Sequence, residues 1–164
     1  MIQSYFAAEK QGGFWALSVG IFTCFLAGCV FLRAAPPFYT GIAIPLILVG
    51  IVQMAIGSAI ARRTDRQADD LEKLLEEDPA EFGKQESQRM AAVMRKFRIY
   101  LGVETGIAAA GLTLILLNGE ANFGKGLGAG MLAQALVMLI FHFFAQKRGQ
   151  DYAAFVGGGI EIGN

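Results

Sequence analysis

Charge is scarce in this chain, and so are the side chains on which most active sites are built. Only 17% of its 164 residues are Asp, Glu, Lys or Arg, against about 25% in an ordinary soluble domain. The 14 basic and 14 acidic residues balance, so no overall positive field points to nucleic acid. There is one histidine, which excludes the paired-histidine zinc motifs, and no nucleophile elbow is present. The two cysteines, Cys24 and Cys29, lie five residues apart in an apolar run. On a helix that spacing turns them about 140° from each other, so they form neither a mutual disulfide nor a C-x-x-C redox pair. Gly124-Lys125-Gly126-Leu127-Gly128 matches neither a dinucleotide fingerprint nor a P-loop, and no strand precedes it. The sequence therefore reads as a non-enzyme, with no catalytic residue, metal site or cofactor expected.

Apolar length is what the chain has in quantity. Hydrophobic residues make up 54%, and four stretches, 14–32, 38–61, 99–117 and 127–144, each match the roughly 20 residues that cross a bilayer core as a helix. Nine of the 14 Lys/Arg fall between Arg62 and Arg98. Lys10 precedes the first span, and Lys147 and Arg148 follow the fourth, leaving only Arg33 and Lys125 in the other connections. Basic residues stay cytoplasmic, so the expected fold is all-α: an integral four-helix bundle of a bacterial inner membrane, with both termini cytoplasmic and membrane lipid around it.

Between spans two and three, residues 62–98 predict a cytoplasmic helical hairpin. Leu71, Leu74 and Leu75 form one apolar strip, and Met90, Val93, Met94 and Phe97 form another. Asp78-Pro79-Ala80-Glu81 has the form of an N-cap, a first-turn proline and a returning acid, which puts the turn at Asp78. Residues 1–13 predict a short amphipathic segment lying on the membrane interface, Arg33–Pro37 a helix-breaking link, and the glycine-rich tail from Gly157 a frayed end. Leu26-Ala27-Gly28-Cys29 has the form of a lipobox, a rival to the retained first helix, which continues apolar through Val30, Phe31 and Leu32.

Inside the spans, ionisable groups are costly and draw attention. Glu104 lies six residues past Arg98, roughly 9 Å into span three, and His142 four residues before Gln146, roughly 6 Å into span four. Gln53 and Ser18 fall at comparable depths in spans two and one, so the sequence predicts one shallow polar layer drawn from all four helices. It reads as a hydrogen-bonded layer that selects the helix arrangement, or as a pocket in which Glu104 and His142 share a proton. Small residues add a second pattern. Gly102, Gly106 and Ala110 line one face of span three, opposite Glu104, and Gly126 and Gly130 repeat the spacing in span four.

These features point to a non-enzymatic interaction protein that binds a membrane-protein partner through helix–helix contacts, possible homo-oligomers included. In size and layout alone it looks like the four-span immunity proteins that protect bacteria from membrane-acting toxins, an analogy that no motif carries. It equally suits a small accessory subunit of a membrane complex. The alternative is an oligomeric channel or transporter for protons, ions or small solutes, lined by Glu104, His142 and Gln53 and extended by Gln134.

Overall fold

A computed structural model describes residues 1–33 and 36–158 of the chain. It is all-helical: α1 (Ile2–Leu32), α2 (Pro37–Glu77), α3 (Pro79–Leu117) and α4 (Phe123–Gly158). All four are long and apolar enough to cross a membrane, which marks the chain as a multi-pass membrane protein. Part of the Arg33–Pro37 link, and the tail beyond Gly158, lie outside the described residues.

Each helix is longer than a bilayer requires. At 1.5 Å per residue the 31 residues of α1 span about 46 Å and the 41 of α2 about 60 Å, against a hydrocarbon core of about 30 Å. The excess of all four helices gathers at one end. There Ile2 and Phe6 of α1, Ala68 of α2, Phe82 and Met90 of α3, and Tyr152 and Val156 of α4 are buried together. Leu71, Leu74, Leu75, Val93 and Met94 pack against them.

The hairpin expected from residues 62–98 is therefore half of a four-helix bundle, and the expected interfacial segment 1–13 is the first part of α1. The physical reason lies in the apolar strips. The strips on the two hairpin arms do not close on each other alone, and Ile2, Phe6, Tyr152 and Val156 are buried in the same core. Lys10 pairs with Asp65 at 2.6 Å, Arg63 with Glu9 at 3.0 Å, and the Gln3 amide donates to Glu72 at 2.8 Å, tying α1 to α2 along this end. At the tip the helix break falls at Asp78, whose carboxylate accepts the Glu81 backbone N–H at 2.9 Å.

In the apolar part the helices pack as two hairpins, α1 along α2 and α3 along α4, joined by α2 against α4. Glycines set the spacing. A Cβ on Gly57 would lie 2.5 Å from the Gly13 carbonyl oxygen, and one on Gly20 would lie 2.6 Å from that of Gly50, so the α1–α2 backbones nearly touch. Gly111 of α3 meets Gly128 of α4 in the same way. On the α2–α4 seam, Gly126 faces Phe38, and Gly130 faces the buried Pro45.

Candidate functional site

The polar groups anticipated in one layer divide between two seams of α4. On the α3 side, His142 Nδ1 lies 2.5 Å from Glu104 Oε1. Glu104 is 7% exposed, and the pair is enclosed by aromatic rings. Tyr100 stacks on the imidazole at 5.5 Å, while Phe97 and Phe141 meet it edge-on at 6.0 and 5.9 Å. On the α2 side, Gln53 is buried and its amide N–H donates to Met138 Sδ at 3.0 Å. Met138 precedes His142 by one helical turn, so α4 carries both contacts. Ser18 is exposed on the outside of α1 and joins neither.

Three buried polar atoms in this region have no hydrogen-bond partner among the described residues: Glu104 Oε2, Gln53 Oε1 and Gln134 Nε2. Buried polar groups are normally satisfied, so these atoms mark places where an enclosed water or a shift of a neighbouring side chain would complete the bonding. No group of three or more His, Cys, Asp or Glu lies together among the described residues.

The small residues of span three and span four also separate. Gly126 and Gly130 are buried between α4 and α2. Gly102, Gly106 and Ala110 are exposed, and a Cβ on either glycine would meet nothing within 4 Å. Glu104 and Gly111 are buried on the opposite face of α3. The helix thus turns its ionisable group inward and its small-residue stripe outward.

A second polar cluster, not anticipated, lies in the bundle formed by the charged helix ends. Glu86 is fully buried and receives two hydrogen bonds from the Arg89 guanidinium, at 2.7 and 2.6 Å. That guanidinium also sits 5.3 Å over the Phe6 ring. Tyr5 stacks on Tyr152 at 4.1 Å with nearly parallel planes. Burial pulls the Arg89 charge down, but the hydrogen bonds and charge of Glu86 outweigh it and hold the guanidinium protonated. Burial, then the nearby Glu9 charge, pushes the Tyr5 phenol up. Tyr152 is also pushed up, by burial first and by the neighbouring Glu86 charge second. One signal in the sequence does locate this cluster. Glu86 stands four residues from both Phe82 and Met90, inside an otherwise apolar strip.

Comparison of the chain with family models, with curated proteins and with solved structures returns no match.

Proposed function

We propose that the protein is a non-enzymatic subunit or binding protein of a bacterial inner membrane that works by docking a partner's transmembrane helix on the outer face of α3. The observation that carries this reading is the contrast between two sets of small residues. Gly13, Gly20, Gly50, Gly57, Gly111, Gly126, Gly128 and Gly130 are all consumed by close helix contacts within the chain. Gly102 and Gly106, with Ala110, have the same spacing and open space above them. Such a stripe lets a second backbone approach closely enough for dispersion contacts to hold it in lipid. Thr105 and Thr113 do not compete for that partner, since their hydroxyls return to the Leu101 and Ala109 carbonyls of their own helix.

In this reading both termini and the Asp78 tip lie in the cytoplasm, because twelve of 14 basic residues belong to that side. The partner is another membrane protein, a membrane-acting toxin being one candidate class and a larger complex another. Gly106→Leu fills the stripe without touching the rest of the chain. The partner co-purified by the native protein is expected to be lost at least tenfold, with an unchanged melting temperature in detergent. Retention of the same partner by the variant would sink the proposal.

A second reading rests on the unpartnered Glu104 Oε2 and Gln134 Nε2, which support a proton route through an oligomer. Proteoliposomes distinguish it: a pH gradient that decays through the native protein but not through Glu104→Gln favours conduction.

A further inference from the structure

A groove of about 380 Å³ runs between α1 and α4, with α2 as its floor. It is separate from both the α3 stripe and the Glu104–His142 pair, neither of which contributes to its walls. The sides are apolar, with Trp15 and Phe141 among them, and Gln53 contributes to the floor. Gln11 and Arg148 lie at the end nearer the charged bundle. Its size is in the range of sites for single small ligands, about 300–1,000 Å³.

The charges around this end are unequally satisfied. Lys10 and Arg63, at neighbouring levels, are paired with Asp65 and Glu9. Arg148 has no ion pair or hydrogen bond to any described residue. Its guanidinium is held over Gly12, where a Cβ would lie 3.6 Å from Nη2 and 3.3 Å from the Phe141 ring. Deeper in, Gln53 closes the floor, being 2% exposed with its Oε1 shut off from the groove. The α1–α2 seam places Gly13 against Gly57 and Gly20 against Gly50, so Gln53 stands about midway between those contacts. That is about five residues, or roughly 8 Å along the axis, past Gly12.

We infer that this groove binds one anionic phospholipid, with its phosphate on Arg148 and Gln11 and one acyl chain running from Trp15 past Val19 and Val137. Each part of the ligand answers an observation. The unpaired guanidinium is open to an anion, and a phosphate matches its planar fork of donors. Apolar walls take the chain.

Trp15 is the only tryptophan, so its fluorescence reports occupancy directly. The full chain is reconstituted in zwitterionic vesicles containing bromine-labelled phosphatidylglycerol or phosphatidylcholine at equal mole fraction. The expected result is quenching by the anionic probe at least fivefold lower in mole fraction than by the zwitterionic one. Arg148→Gln is expected to abolish that preference, and Ala16→Trp, read by native mass spectrometry, to exclude the bound lipid. Lys147→Gln, which removes a neighbouring exposed charge, is expected to leave the preference intact. Equal quenching by both probes, unaffected by Arg148→Gln, would mean that bulk lipid fills the groove and would overturn the inference. So would a native mass showing a second copy of the chain and no lipid.

Discussion

At the level of single residues, the most consequential side chain is Glu86, a carboxylate with no exposed surface whose only strong partner is Arg89. Removing one member of a buried pair leaves the other charge unpaired at a cost of about 3–5 kcal/mol. Arg89 retains some solvent contact, with 24% of its side chain exposed, so Glu86→Ala is expected near the lower end, about 3 kcal/mol. A clear fall in melting temperature in detergent checks this. Lys10→Ala breaks a pair exposed to water and is expected to cost less than about 1 kcal/mol. Tyr152 supplies a pH test. Its hydroxyl lies beside Glu86 without a well-formed hydrogen bond, so Tyr152→Phe is expected to be close to neutral at pH 7. Both Tyr5 and Tyr152 titrate higher in the folded chain than the value near 10 of an unfolded tyrosine. The folded state therefore holds these protons more tightly. Their contribution is complete below about pH 10 and is lost as the pH rises beyond it. Melting curves between pH 9 and 11 should show a decline in the native protein that is shallower in Tyr152→Phe.

At the level of the helices, packing in the apolar part depends on the absence of side chains. A Cβ at Gly57 would stand 2.5 Å from the Gly13 oxygen and 2.7 Å from the Leu17 nitrogen, and backbone cannot rotate aside as a flexible side chain does. Gly57→Leu is expected to destabilise by about 3 kcal/mol, the upper end for overpacking, and to separate α1 from α2. Gly102→Leu, with nothing within 4 Å of its Cβ, is expected to leave the melting temperature unchanged, so the two variants form a matched test.

Helix number, the apolar stretches and the break at Asp78 were legible in the sequence, because each depends on local composition and capping. The fate of individual glycines was not. Gly106 and Gly130 share the same spacing signature, and only the relative rotation of α3 and α4 decides which one is covered. Ser18 shows the same limit, since comparable depth along a helix says nothing about the direction a side chain points. The gathering of residues 1–13 with the far end of α4 was hidden for a different reason. It joins the two ends of the chain, and no periodicity within either end identifies its partner.

At the level of the whole molecule, the N-terminal part of α1, the α2–α3 tip and the C-terminal part of α4 share one core, and the proposed topology puts that core on one side of the membrane. The charge distribution makes that side the cytoplasm in the proposed orientation. Single cysteines at Asp70 and at Asn122, in a chain whose Cys24 and Cys29 are replaced by alanine, test this with a membrane-impermeant maleimide on intact spheroplasts. Asn122→Cys is expected to label and Asp70→Cys to label only after lysis. The reverse pattern would invert the orientation and place the charged bundle outside.

The helices also run without interruption from one part of the molecule to the other. α3 is a single rod from Pro79 to Leu117, carrying Glu86 at one end and the Gly102–Ala110 stripe at the other. The 18 residues between Glu86 and Glu104 correspond to about 27 Å of continuous helix. A helix has no joint along such a length, so a partner that tilts α3 within the lipid swings its other end as a lever swings its far arm. In the proposed docking the load falls on the contacts α3 makes with its neighbours there, Arg89 over the Phe6 ring of α1 among them, where a grip in the bilayer becomes a change of shape in water.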